Sequence, residues 1–88
     1  LLLPHTWKGP IADDSQAIGE IYALQTALLV DGVYPPGAKS MNDCPRTGKI
    51  GPCTKTAVQS FQKKYGISEK GVGEKTILQL NKKYSGVL

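Results

Sequence analysis

The sequence predicts an all-α fold, a small three-helix bundle with long connecting loops, one of them stapled by a disulfide. Three observations predict it. Apolar residues recur at helical spacing in three separate stretches. Glycine and proline punctuate the ends of each stretch. Two cysteines, Cys44 and Cys53, flank a turn-rich loop that holds Pro45, Gly48, Gly51 and Pro52.

At 88 residues the chain is one domain, too small to be more than marginally stable on burial alone. The hydrophobic share of 40% is enough for one core and too high for a disordered chain.

Residues 1–18 read as an irregular N-terminal arm or linker. Pro4, Gly9 and Pro10 break any helix, and Asp13-Asp14-Ser15 reads as a turn or cap. Trp7 is expected to pack onto the domain it flanks; stacking on a sugar is the competing reading. His5 is placed near a mobile terminus. Leu1-Leu2-Leu3 is too short to identify a signal peptide, and no stretch is long enough to span a bilayer.

The bundle is expected over residues 19–85. Ile21, Leu24, Ala27 and Leu28 form the apolar face of the first helix, which Asp31-Gly32 ends. Val33-Tyr34-Pro35-Pro36-Gly37 opens a loop that runs to about Gly51. Gly51 caps the second helix and Pro52 takes its first position, where the missing N–H costs nothing. Ala57, Val58, Phe61 and Tyr65 make its apolar face, and Gly66 ends it. The third helix starts at Gly73-Glu74, with the acid complementing the dipole. Ile77, Leu80 and Tyr84 face inward, Lys82 and Lys83 sit in the last turn, and Gly86 follows as a stop. The predicted core is Leu24, Leu28, Val58, Phe61, Ile77 and Leu80, and the loop carrying Cys44 is placed outside it.

Two cysteines and one histidine cannot make a four-ligand zinc site, and a catalytic thiol lacks a nearby base. A Cys44–Cys53 disulfide is therefore expected, with an oxidising compartment. The competing reading is two free thiols in a reducing one.

One pattern repeats. Ile50-Gly51-x-x-Thr54 followed by Val58 echoes Val72-Gly73-x-x-Thr76 followed by Leu80, and Leu24-Gln25 echoes Phe61-Gln62. Each unit marks a helix start, with Thr in the first turn where its hydroxyl can meet an unpaired backbone group. Gln25 and Gln62 are expected to brace loops.

These strings in order, Leu24-Gln25-x-x-Leu28, Gly32-Val33-Tyr34, Ile50-Gly51-Pro52-x-Thr54, Ala57-Val58-x-x-Phe61-Gln62-x-x-Tyr65-Gly66-Ile67 and Gly71-Val72-Gly73-x-x-Thr76-x-x-x-Leu80, resemble the peptidoglycan-binding domain found beside many cell-wall hydrolases. The resemblance spans roughly residues 19–81. It implies a three-helix fold that holds a protein on peptidoglycan. The chain departs from the pattern in its longer loop between Tyr34 and Ile50 and in Cys53 at a first-turn position.

The resemblance further implies non-catalytic binding of the glycan strand and stem peptide, with a catalytic domain or wall enzyme in cis or trans. Helix starts favour carboxylates. Thr54 and Thr76 would supply hydroxyls, Lys49 and Lys75 charge, and Tyr34 an aromatic face to a sugar. The competing readings are capping for the threonines and core packing for the tyrosine. No metal or other cofactor is expected. The location is secreted, periplasmic or cell-surface.

Other functions fare less well. The acids are scattered, not paired across a cleft as glycosidase chemistry needs, and a triad would have to use His5. The net charge of +4 favours anionic partners, but the basic stripe with exposed aromatics that nucleic-acid binding needs is missing. The alternative function is an interaction module or inhibitory pro-domain, whose metal-capping cysteine motif the residues around Cys44 do not match.

Overall fold

The computed structural model describes residues 3–37, 40 and 42–86. Three helices follow the predicted order: α1 Ile18–Asp31, α2 Pro52–Lys64 and α3 Glu74–Tyr84. Helix α1 packs on both others. Its inner face is Ile21, Leu24, Ala27 and Leu28, all buried. From α2 come Ala57, Val58 and Phe61, and from α3 Ile77 and Leu80, each buried as the spacing predicts.

Two glycines end helices by left-handed turns. Gly32 has φ 90°; its N–H reaches the Leu29 carbonyl, and Val33 N–H reaches Leu28. Gly66 has φ 68° and repeats the arrangement, with Ile67 N–H on the Gln62 carbonyl. These bonds satisfy carbonyls that a helix end leaves unpaired.

Tyr65 and Tyr84 are only half-buried. Their hydroxyls pull toward a polar partner, Asp31, which accepts from both.

The arm is fixed, contrary to the expectation of a mobile terminus at His5. His5 N–H donates to the Tyr84 carbonyl at 3.0 Å, and its ring Nε2 lies 2.9 Å from a Glu20 carboxylate oxygen. Trp7 packs as expected and is 2% exposed. Its main chain exchanges two bonds with the Asn81 amide, and its indole N–H donates to the Glu20 carbonyl at 3.0 Å. Further on, Ile11 pairs with Val72 in an isolated antiparallel bridge. The arm thus crosses α1 and α3 and ends against the residues leading into α3.

The stapled loop also corrects an expectation. Cys44 and Cys53 are bonded, as predicted, but the loop is not outside the core: Tyr34 and Cys44 are both buried in it. The staple pulls Cys44 against the start of α2. Tyr34 fills the space beneath, its hydroxyl donating to the Pro45 carbonyl at 3.0 Å. Arg46 fastens the loop to α1, donating to the Thr26 hydroxyl at 3.0 Å with its guanidinium over the Tyr22 ring. Part of the loop, at residues 38, 39 and 41, lies outside the described residues.

No helix among the described residues is long and apolar enough to cross a membrane.

Candidate ligand-binding end of the bundle

The repeated sequence unit is a repeated hydrogen-bond unit. Gln25 on α1 donates through Nε2 to the Lys49 carbonyl at 3.1 Å and the Thr54 hydroxyl at 2.9 Å. Gln62 on α2 donates to the Gly71 carbonyl at 2.7 Å and the Thr76 hydroxyl at 2.9 Å. In both units the carbonyl lies the same distance before its threonine. Each buried amide thereby ties the chain entering a helix to that helix's first turn, and Gln25 is satisfied on its oxygen too, which accepts from Gly48 N–H. This is the loop bracing expected of the two glutamines.

The two helix starts then diverge. At α3, Glu69 folds back onto the first turn. Its carboxylate accepts from Lys75 N–H at 3.2 Å, Thr76 N–H at 2.7 Å and the Thr76 hydroxyl at 2.6 Å. Burial pushes this carboxyl up, but the bonds from Thr76 and Lys75 outweigh it and hold it below the usual carboxylate range. In the other unit the matching position is Thr47, short and neutral, and its hydroxyl accepts from Lys49 N–H at 3.2 Å. Among the described residues no side chain accepts from the first-turn N–H groups of α2, whose N-cap is Gly51. Its start faces a hollow of about 160 Å³ whose lining includes Tyr34, Asp43, Thr47, Lys49, Thr54 and the disulfide.

Of the residues singled out for binding, Tyr34, Lys49 and Thr54 therefore meet around one hollow. Lys75 and Thr76 stand at the other helix start, which Glu69 already occupies. Tyr34, Thr54 and Thr76 are buried, and burial pushes the Tyr34 hydroxyl's pKa up. Lys49 and Lys75 are exposed.

Between the two starts runs a groove of about 150 Å³. Ile50, Val58 and Val72 give it an apolar wall; Gln59, Gln62, Lys55, Gly71 and Asp13 complete it. Asp13 lies 3.7 Å from Lys55 Nζ. A shallower hollow continues past Asp13 along Ile11 and Lys70. The groove was missed in sequence because its walls come from three separated segments. Ile50 and Val72, the apolar leads of the two repeated units, were the available signal. Glu69 was missed too, though an acid seven residues before the threonine of such a unit could have revealed it.

Three further acids have partners elsewhere in the fold, and none faces a second carboxylate among the contacts described. Glu20 faces His5, Asp31 faces Lys64 and Asp43 holds Ser40. No cluster of metal-binding side chains occurs among the described residues.

Residues 19–80 match the family described as "Putative peptidoglycan binding domain". The chain belongs to this family. The domain is a non-catalytic binding unit, and membership supports a peptidoglycan-binding role. The zinc D-Ala-D-Ala carboxypeptidase of Streptomyces albus G is 37% identical over 68 residues, which cover 77% of this chain and 24% of that protein. The chain thus spans about a quarter of that relative's length. No solved structure matches it.

Proposed function

We propose that the chain binds bacterial cell-wall peptidoglycan, glycan strand and stem peptide together, and holds an attached or associated hydrolase on it. The family match over residues 19–80 carries this reading. The relative is named for action on D-Ala-D-Ala, which is consistent with a hydrolase as the partner. The disulfide favours an oxidising, extracytoplasmic compartment, so the protein is read as secreted, periplasmic or cell-surface. Residues 19–85 form the binding unit and residues 1–18 its N-terminal arm, which over its described residues is closed onto that unit.

Contact falls at the end of the bundle where α2 and α3 begin. Lys49 and Lys75 present charge to stem-peptide carboxylates. Tyr34, Thr54 and Thr76 shape that end from beneath. The start of α2, where among the described residues no carboxylate accepts from the first-turn N–H groups, is the better place for a ligand's; Asp43, which also lines its hollow, accepts from Ser40 instead. A metal-capping pro-segment is disfavoured, because it needs a free cysteine and both cysteines of the chain are paired.

Sedimentation with insoluble purified peptidoglycan, beside chitin and cellulose, tests the proposal. The chain should pellet with peptidoglycan in preference to the other two. If it stays in the supernatant with every wall preparation, the interaction-module reading replaces this one.

A further inference from the structure

The rim of the groove holds an ion pair that lies partly outside the family match. Lys55 comes from α2, but Asp13 comes from the arm, ahead of residue 19 where the match begins. The arm sets Asp13 in place from both sides. Ile11 N–H bonds the Val72 carbonyl at 2.9 Å, and Ser15 N–H closes a turn on the Ala12 carbonyl at 3.0 Å.

This pair has little structural work to do. The Lys55 and Asp13 side chains are 52% and 61% exposed, and ion pairs that wet contribute little to folding and open readily. Trp7 and Ile11 already hold the arm. Its chemistry is therefore available to a ligand. An ammonium beside a carboxylate complements a ligand that presents a carboxylate beside an ammonium. The groove's volume of about 150 Å³ is roughly half the lower bound of ordinary small-molecule pockets, about 300 Å³. It suits one amino-acid-sized group, and the shallower hollow that continues past Asp13 leaves room for the rest of a longer ligand.

We propose that the groove reads a zwitterionic amino-acid head group of the wall peptide. Asp13 takes the ammonium, Lys55 takes the carboxylate, and Ile50, Val58 and Val72 receive the apolar stem. This rests on the peptidoglycan-binding reading and narrows it to a chemical class. Amidation of the head group's carboxylate removes the contact with Lys55.

The test titrates the full chain with a soluble wall peptide bearing diaminopimelate, free or amidated at its side-chain carboxylate. Calorimetry measures affinity and amide NMR shifts map the contact. The free form should bind about two- to five-fold tighter, with shifts clustered at Ile50–Gln59 and Gly71–Val72. Lys55→Gln should erase the discrimination, and Asp13→Asn should weaken both peptides about two- to five-fold. The double variant Asp13→Lys with Lys55→Asp restores an ion pair of opposite polarity. If the pair only braces the arm, that variant binds like the parent; if it reads the ligand, binding falls. Equal affinity of the parent for the two peptides, or parental binding by the swapped variant, overturns the proposal. Whole-wall sedimentation is scored separately. Sedimentation without peptide discrimination sinks this inference alone; discrimination without sedimentation sinks the wall-binding reading alone.

Discussion

Asp31 ends α1, at the negative pole of the helix dipole, where a carboxylate is disfavoured. Its side chain is also 1% exposed. What holds it is a ring of donors from the other two helix ends. Tyr65 donates at 2.7 Å and Tyr84 at 2.5 Å. Lys64 Nζ reaches both the carboxylate and the Asp31 carbonyl at 3.0 Å, and Lys83 Nζ stands 3.7 Å away. One buried charge thus gathers the C-terminal ends of all three helices. Burial pushes its carboxyl up, but the bonds from Tyr84, Tyr65 and Lys64 outweigh burial and leave it below the usual range. Burial and then Asp31 push the Tyr84 hydroxyl up in turn. Asp31→Asn should therefore lower stability by about 1–3 kcal/mol, read as a lower urea midpoint. The sign of the pH effect comes from the lowered carboxyls of Asp31 and Glu69. A group depressed in the folded state stabilises above its unfolded value, about 3.9 for Asp and about 4.3 for Glu. That contribution is lost as pH falls through the folded value. Melting temperature should drop below about pH 4, and the drop should be shallower in Asp31→Asn. An identical acid limb in the two proteins would assign the effect elsewhere.

The helices stand on spaced core residues, and Phe61 is the largest that α2 contributes. Phe61→Ala should cost about 3–5 kcal/mol, much of the stability available to a small domain; unchanged melting would mean that the helix faces are misassigned. The elements legible in sequence were those whose information is local. Period 3.6 marked Leu24 and Leu28, Phe61, and Ile77 and Leu80, while Gly51-Pro52 and Gly66 marked where helices start and stop. The arm was not legible in the same way. It has no period, and its partners are remote: Trp7 meets Asn81 across 74 positions. The groove escaped for the same reason, since Asp13 and Lys55 come together only once the arm is seated. Trp7→Ala should accordingly behave as a core truncation, costing about 3–5 kcal/mol, whereas a linker residue would melt like the parent. The disulfide tests the loop likewise. Reduction should lower stability by roughly 2.5 kcal/mol in the chain-entropy model. It should also release Tyr34, detectable as near-ultraviolet circular dichroism lost while the helical signal is kept.

For the whole molecule, a net charge of +4 on 88 residues draws it toward an anionic polymer, and position decides which charges matter. Lys64 and Lys83 are committed to Asp31 at the helix C-termini. Lys49 and Lys75 stand exposed beside the starts of α2 and α3; the dipole of α2 adds positive potential of its own, while Glu69 offsets that of α3. Replacing both, as Lys49→Ala with Lys75→Ala, should weaken sedimentation with peptidoglycan several-fold, each exposed contact contributing on the order of 0.3–1 kcal/mol. Neither side chain is buried, so melting should change little. Thr54→Val and Thr76→Val make a poorer test, because each hydroxyl holds a buried glutamine and its loss would destabilise the fold by itself. Salt separates charge from shape. Screening over about 8 Å at physiological ionic strength should reduce binding by the parent as salt rises, but not abolish it, because sugar and peptide contacts are only partly ionic. The double variant should start weaker and respond less to salt. If it instead stays folded, sediments as the parent does and keeps the parental salt slope, the contact does not run through these lysines. The hollow at Tyr34 and the stapled loop would then be the surface to vary next.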